Sequence, residues 1–394
     1  MSYLSKKITS THSYSLVRGV HQEFTARYRH FGYTQKAKKM GARNLNSSEL
    51  KAELRKRLSS RRIKRPAKSK GDMHIFLASK MGNWETILPV SLKSFGRVTV
   101  YDWTQKGFDH LSPNWLTCRQ QMYDDMLGEF KKANQIQPVD AVVGYLSGNT
   151  CSPATLREMA NEGATIFNFC LDDKLQFPGK KYGGRYRSPA GIAEAVDLNL
   201  TSAPDSTIKY VCHGGLAYFW PEAACPEIHK PYNLPYKYDV SFIGARYGWR
   251  PRFIEKLHKK GINVVCFGNG WDNGPLTKEG MIKLYSESRI NLGFSGIGHS
   301  RRLMCLKGRD FEVPMSGGLY LTQSNPELSL VFKSGEEILT YEGHEDCAKT
   351  IKNILSNPKK AELIRNAGRE RCLKDHTYQA RWEDIFKLAG LLKP

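Results

Sequence analysis

From Met73 onward, short apolar segments alternate with amphipathic ones, and this alternation limits the chain to a small set of folds. MHIFLAS, RVTVYDW, DAVVGYL and ATIFNFCLDD are short apolar runs typical of buried strands. Helical segments separate these runs, and one of them, SPATLREMANEG, begins with Ser152 as N-cap and Pro153 at its first position. Strand–helix alternation of this kind predicts a parallel sheet with helices on its faces.

A second series of the same kind starts near residue 238, with the strand YDVSFIGARYG and a helix that Gly261 ends. LNLTSAP and TIKYVC are predicted as further strands of the first series. We therefore expect an α/β fold of two Rossmann-like halves, residues 73–230 and 231–394, with the last helix crossing back. Ligands of open α/β sheets bind at the carboxyl ends of the strands, so the cleft between the halves is the expected site.

Residues 1–72 form a separate basic arm, which we expect to be mostly helical and not to affect ligand binding by the second half. They carry a net charge of +15 out of +22 for the chain. The segment SSELKAELRKRLSSRRIKR predicts a helix with Ser47 or Ser48 as N-cap. Such an arm attracts polyanions, whether nucleic acid, acidic lipid or anionic glycan. The cations expected to bind nucleic acid are Arg55, Lys56, Arg57, Arg61, Arg62, Lys64 and Arg65.

The nine cysteines are scattered, and no C-x-x-C pair occurs. This pattern favours free buried thiols in a reducing compartment over a disulfide framework or a zinc site. No apolar run approaches the roughly 18–20 residues that span a bilayer. We therefore expect a soluble cytoplasmic protein without a bound metal.

Two segments of the second half have the composition of a diphosphate site. The strand VSFIGA leads into a turn with Gly244, Arg246, Gly248 and Arg250, where glycine admits a close phosphate and arginine binds its oxygens. KGRDFEVPMSGG then places Lys307, Arg309 and Glu312 at the start of a short helix that ends at Gly317 and Gly318. The alternatives are an ordinary turn and a surface ion pair between Arg309 and Glu312. Neither half has a Walker or dinucleotide-binding glycine motif, which disfavours kinases and dehydrogenases.

From about residue 73 to 390 the sequence resembles the CgeB-like, spore-maturation type of glycosyltransferase. YDVSFIGARYGWR, FGNGW, YSESRINLGFS, KGRDFEVPMSGGLYLT and AGRERCLKDHTY carry the resemblance in the second half. VDAVVGYL, SPATLREM, FNFCLDD and VCHGGLAYFWPEA carry it, more loosely, in the first. The resemblance implies the GT-B fold, in which two Rossmann-like domains face each other across a cleft.

The resemblance also implies a nucleoside-diphosphate sugar as co-substrate, with a UDP-sugar as the expected donor and no further cofactor. Glu312 then binds the ribose, and Arg246, Arg250, Lys307 and Arg309 are the diphosphate candidates. Gly244, Gly317 and Gly318 complete the expected donor site. Many relatives of the wider group have a second glutamate eight residues before the ribose-binding one, and Met304 occupies that position here. The resemblance therefore does not fix the stereochemical outcome.

Three residues are candidates for the base that takes the proton of the acceptor hydroxyl. Asp172 and Asp173 follow the strand ATIFNFCL, although one of them is expected to cap the next turn. His213, in VCHGGLA, is expected at another strand end.

The acceptor is left open between DNA and a glycan. The basic arm favours double-stranded DNA with a modified base, as in phage-type DNA-base glycosyltransferases. An envelope or spore glycan, with the arm on an anionic membrane, is the alternative. A DNA-binding protein without catalytic activity is the third possibility, against which the intact Arg309–Glu312 segment counts.

Overall fold

A computed structural model describes residues 12–82 and 84–393, so the first eleven residues of the predicted arm lie outside the described residues. The chain divides into two compact units. The first unit contains Tyr28–Pro221 and Tyr378–Pro394, and the second contains Glu222–Thr377 with the chain up to Arg27. The division falls within α1 (His12–Lys39). Residues 1–72 are thus shared between the two units, because parts of this segment pack on each of them.

The first unit is built on one parallel sheet. Its strands are β1 (Met73–Ala78), β2 (Gly96–Tyr101), β3 (Ala141–Gly144), β4 (Thr165–Cys170), β7 (Leu198–Thr201) and β8 (Ala217–Phe219). A small antiparallel ribbon consists of β5 (Lys181–Tyr182) and β6 (Arg185–Tyr186). The helices are α2 (Ser47–Ser59), α3 (Ile87–Leu92), α4 (Trp115–Ile136), α5 (Pro153–Asn161), α6 (Asp173–Gln176) and α7 (Thr207–Val211). The sheet order is β2-β1-β3-β4-β7-β8.

The second unit repeats this plan with five parallel strands. They are β9 (Tyr238–Ile243), β10 (Val264–Phe267), β11 (Ser288–Leu292), β12 (Tyr320–Gln323) and β13 (Leu339–Tyr341). The helices are α8 (Arg250–His258), α9 (Lys278–Glu287), α10 (Gly308–Met315), α11 (His344–Leu355) and α12 (Pro358–Asp375). The sheet order is β10-β9-β11-β12-β13, which places the topological switch point between β9 and β11. The loops that follow these two strands are therefore the expected ligand-binding loops.

The last helix, α13 (Tyr378–Ala389), packs in the first unit. The indole of Trp382 is fully buried and donates to Ser91 Oγ at 2.9 Å. The ring of Phe386 lies 5.2 Å from that of Phe95 and 5.7 Å from that of Phe167, measured between centroids. Aromatic packing therefore fixes the end of the chain against the sheet of the first unit.

The predicted alternation of strands and helices is confirmed, including the cap of α5, where Ser152 Oγ accepts from the Thr155 amide at 3.0 Å. The prediction that TIKYVC is a strand is wrong, since these residues form α7. Because β7 and β8 are parallel, the chain must run back from the carboxyl end of β7 to the amino end of β8. Helix α7 lies on that crossover. A short apolar run does not distinguish a strand from a buried helix.

The basic helix α2 begins one residue earlier than predicted, with Asn46 as its N-cap. Asn46 Oδ1 accepts from the Glu49 amide at 3.0 Å, and Glu49 Oε2 accepts from the Asn46 amide at 3.0 Å. Leu50 and Leu54 are buried on the inner face, and α2 packs on α13. This helix is therefore a docked part of the first unit.

Three of the seven cations expected to bind nucleic acid instead hold this segment on the first unit. Arg61 pairs with Asp197 and donates to the Ala164 carbonyl at 2.7 Å. Arg65 donates to the Glu162 carbonyl at 2.6 Å, and Arg57 donates to the Gly214 carbonyl at 3.3 Å. These carbonyls and carboxylates are distant in sequence, which is why the charge pattern alone misassigned the three arginines. The four that remain exposed are Arg55, Lys56, Arg62 and Lys64.

None of the nine cysteines, all of which lie in the described residues, forms a disulfide, and eight of them are buried. Within residues 12–82 and 84–393, no helix combines the length and the apolar character needed to cross a membrane.

We predict that Arg61→Ala lowers the free energy of unfolding by about 3 kcal/mol, because it leaves the buried Asp197 carboxylate without its counter-charge. The adjacent, exposed Arg62 is the matched control, and Arg62→Ala is expected to change stability by less than about 0.5 kcal/mol. Urea unfolding of both variants measures the difference. Equal stability of the two variants would contradict a structural role for Arg61.

Candidate active site

The turn after β9 brings three backbone segments of the second unit close together. The Gly244 amide donates to the Phe267 carbonyl at 2.9 Å, and the Trp271 indole donates to the Gly244 carbonyl at 2.8 Å. Gly248 has a φ of +65°, which favours glycine at this position. The turn is therefore held on both sides at the carboxyl end of β9.

Arg250, the first residue of α8, is buried and has no ion-pair partner among residues 12–82 and 84–393. Only 7% of its surface is exposed, and its Nη1 donates to the Ala245 carbonyl at 3.2 Å. Its guanidinium lies 4.4 Å from the centroid of the Tyr247 ring. Burial lowers the pKa of Arg250, and the positive charge of Arg309 lowers it further. An anion bound next to Arg250 would compensate this buried positive charge.

The other cations stand at the start of α10, the helix that follows the β11 loop. Asp310 fixes this helix end, since its Oδ2 accepts from the Lys307 amide at 2.8 Å. Lys307 Nζ lies 3.0 Å from Cys305 Sγ. The amino end of a helix carries a partial positive charge, so α10 adds its own field to that of Lys307 and Arg309.

The expected surface ion pair between Arg309 and Glu312 is not formed within the described residues, although the charges of Glu312 and Glu222 act on Arg309. Glu312 turns back over the start of α10, where a Cβ on Gly308 would lie 2.9 Å from Glu312 Oε1. The Tyr285 hydroxyl nearby is buried without a hydrogen-bond partner of normal geometry among the described residues. Burial and the charge of Glu312 raise the pKa of Tyr285. The Tyr285 hydroxyl and the Glu312 carboxylate thus interact at the start of α10.

Glu222 is a site residue that the sequence analysis missed. A Cβ on Gly308 would lie 3.8 Å from the carboxyl carbon of Glu222, so this carboxyl group and that of Glu312 both lie over Gly308. Burial, helped by the charges of Glu312 and Asp310 and opposed by that of Lys307, raises the pKa of Glu222 to about 8. Glu222 lies in VCHGGLAYFWPEA, one of the segments that carry the resemblance, and its local signal is an acidic side chain in the apolar stretch YFWPEAA.

The structure places the remaining predicted donor residues differently. Arg246 is exposed and lies 5.4 Å from the Trp271 ring, on the same turn as Arg250. Gly317 and Gly318 follow the far end of α10, where Gly317 has a φ of +73° and a Cβ on Gly318 would lie 2.8 Å from Val313 Cγ1. These two glycines end the helix and allow close packing, so we remove them from the donor site.

Asp172 and Asp173 follow β4 in the first unit, but only Asp172 is exposed. Asp173 is fully buried, and its Oδ2 accepts from the Tyr210 hydroxyl at 2.7 Å. Burial raises the pKa of Asp173 to about 6, although the hydrogen bonds and Lys209 oppose this. Residues of α7 enclose this carboxylate. We therefore assign Asp173 a structural role and withdraw it as a candidate base.

His213 also lies away from the expected edge of the sheet. It follows α7 and precedes β8, which places it at the amino end of that strand. Its Nε2 lies 3.2 Å from the Tyr33 hydroxyl, and its ring contacts those of Phe177 and Tyr186. Burial lowers the pKa of His213 to about 4. His213 was predicted from the wrong assignment of TIKYVC as a strand, and it belongs to an aromatic cluster instead.

Comparison with known proteins supports an enzyme that transfers sugars. Residues 250–387 match the family described as glycosyl transferase-like, and this range contains α8, α10 and both arginines. No curated protein matches the chain.

Solved structures show which fold this is. The sucrose-phosphate synthase of Thermosynechococcus elongatus is 13% identical, with a TM-score of 0.55 over 80% of this chain and 98% of its own. A glycosyltransferase from Rickettsia africae is 9% identical, with a TM-score of 0.53 over 80% of this chain and 97% of its own. The fold is therefore GT-B, with two Rossmann-like domains. A match to a glycosyl transferase-like family over residues 250–387 and the GT-B fold together support a glycosyltransferase.

Proposed function

We propose that the chain transfers the sugar of a nucleoside-diphosphate sugar, with a UDP-sugar as the first candidate, to a hydroxyl group of a modified base in DNA. The observation that carries the donor is Arg250, a buried guanidinium without an ion pair among the described residues, close to Arg309 at the start of α10. Guanidinium groups bind phosphate oxygens with two parallel hydrogen bonds, and Lys307 and the start of α10 add further positive charge. Glu312 accepts hydrogen bonds from the two ribose hydroxyls.

The reaction needs stabilisation of the leaving group and a base. The bond between the anomeric carbon and the diphosphate breaks while the acceptor oxygen bonds to that carbon, and the cations stabilise the departing nucleoside diphosphate. The acceptor hydroxyl gives up its proton in the same step. Asp172 is the base that we propose, since it is the exposed carboxylate at the carboxyl end of β4.

We predict that Glu312→Ala weakens UDP binding about tenfold to a hundredfold, because two hydrogen bonds to a carboxylate are lost. The matched control is Glu336→Ala, an exposed glutamate of the same unit. Calorimetric titration with UDP compares the variants with the wild-type protein, and circular dichroism checks their folding. A folded Glu312→Ala variant with wild-type affinity would remove Glu312 from the site.

Donor affinity is expected to fall as the pH rises through about 8. Glu222 is protonated below its pKa of about 8 and negatively charged above it. The negative charge that Glu222 gains repels the diphosphate, so UDP binds better to the protein with protonated Glu222. The affinity for UDP therefore falls at higher pH, by up to about tenfold per pH unit. We predict that Glu222→Gln, which is neutral at every pH, removes this fall.

The test is the dissociation constant of UDP between pH 7 and 9.5 for both proteins. Lys307, Arg309, Asp310 and Glu312 also face Glu222 and are common to both, so the difference between the two profiles isolates Glu222. Parallel profiles would contradict the proposed role of its titration.

The exposed cations of the basic segment support DNA as the acceptor. Arg55, Lys56, Arg62 and Lys64 lie on the surface of the first unit and can neutralise phosphates without regard to base sequence. A modified base in a duplex must then be flipped out or reached in the major groove. With this acceptor the reaction takes place in the cytoplasm, in an infected host if the protein is encoded by a phage.

One observation favours the glycan alternative. The outer face of α1 exposes 71% of Val17 and 68% each of Val20 and Phe24. Arg18 and Arg27 are exposed on the same helix. Apolar residues flanked by arginine are typical of helices that lie on anionic membranes, where an envelope glycan would be available.

Replacing the four exposed cations by alanine decides between these acceptors. Each phosphate contact contributes about −0.9 to the slope of log affinity against log salt, so we predict a slope flatter by three to four units for duplex DNA. Mobility-shift titrations at several salt concentrations measure it. The control has the same net charge, since it carries alanine at four exposed lysines elsewhere: Lys131, Lys132, Lys359 and Lys360.

A control with an unchanged slope supports a local DNA contact. Equal slopes in all three proteins would exclude the basic segment as a DNA contact and make the glycan the leading acceptor.

A further inference from the structure

The inner face of α1 contacts the loop that leads from β11 to α10. Gln22 Oε1 accepts from the His299 amide at 2.8 Å. Ser15 Oγ lies 3.2 Å from His299 Nδ1, and the Tyr14 ring meets the His299 ring edge-on at 5.9 Å. All these residues belong to the second unit. The first half of α1 is therefore attached to the unit that carries the proposed donor site.

Two glycines allow this close approach. A Cβ on Gly19 would lie 2.5 Å from the His299 carbonyl oxygen, so α1 meets the loop through its backbone. Gly298 has a φ of +55°, and a Cβ there would lie 2.6 Å from Gln22 Oε1. Larger side chains at either position would push α1 away from the loop.

The opposite side of the same loop contacts the turn that leads to Arg250. A Cβ on Gly248 would lie 3.4 Å from the Gly298 carbonyl oxygen. The ring centroids of Tyr247 and His299 are 6.0 Å apart, and the Arg301 guanidinium lies 5.1 Å from the Trp249 ring. The loop is thus in contact with α1 on one side and with the turn on the other.

Apolar packing between α1 and the loop is incomplete. A pocket of about 240 Å³ that is open to solvent remains beside them, with the exposed Leu16 and Val20 and the buried Trp249 in its wall. Dispersion contacts are missing where this pocket lies. The hydrogen bond that Gln22 accepts from the His299 amide therefore contributes to holding the loop against α1.

We propose that Gln22 is a positioning residue for the donor site, acting through His299 on the turn of Tyr247 and Arg250. This inference rests on the proposed diphosphate site. It replaces the expectation that donor binding is independent of the N-terminal segment, because α1 holds a loop that touches the donor turn.

The test compares Gln22→Ala, which removes the acceptor oxygen, with Gln22→Glu, which keeps one. We expect Gln22→Ala to raise KM for the donor about fivefold to tenfold with kcat changed less than about twofold, as for one lost hydrogen bond. Gln22→Glu should restore KM to near the wild-type value. Val17→Ala, on the exposed face of α1, is the control and should leave both constants unchanged.

Hydrogen exchange of residues 297–302 gives a readout that does not depend on activity. Faster exchange in Gln22→Ala alone, together with the raised KM, supports the proposal. Unchanged exchange would show that Gln22 does not hold the loop, and faster exchange with an unchanged KM would show that the loop does not position the donor; either result overturns it. A wild-type protein that binds no UDP would instead overturn the donor site itself, while the exchange comparison would still report on the loop.

Discussion

The buried guanidinium of Arg250 is the feature on which the proposed donor site depends. Removing a guanidinium from water costs several kcal/mol unless an opposite charge compensates it. Among the described residues Arg250 has no ion pair and donates to the Ala245 carbonyl, whereas the half-buried Arg309 next to it lies within the electrostatic reach of Glu312 and Glu222. This arrangement favours the binding of an anion. The partial positive charge at the start of α10 adds to the positive potential there.

The surrounding residues follow from that excess of positive charge. Glu312 and Glu222 lie over the same glycine, and burial raises the pKa of Glu222 to about 8, so that Glu222 keeps its proton at neutral pH. The turn that carries Arg250 is supported by the His299 loop, and α1 holds this loop from its other side. The sequence predicts an independent basic arm. In the structure, residues 12–27 of this segment belong to the second unit and residues 28–72 to the first.

How much of this the sequence could predict depends on whether the relevant contacts are local. Alternation of strands and helices, the cap at Ser152 and the grouping of Lys307, Arg309 and Glu312 are local patterns, and the structure contains all of them. The site residues that the sequence analysis misassigned or missed depend on non-local contacts. Asp173 is buried by Tyr210 from a later helix, Arg61 pairs with Asp197, and Glu222 reaches α10 only through the fold. No spacing rule reports such contacts.

The central claim is that a nucleoside diphosphate binds between the turn after β9 and the start of α10. Hydrogen exchange of the wild-type protein with and without UDP tests it directly, since bound phosphates protect the amides that they contact or order. Our account predicts that UDP slows exchange in two separate segments, residues 244–250 and 307–312, and leaves α2 unchanged. Protection confined to other segments, or none at saturating UDP, would contradict it.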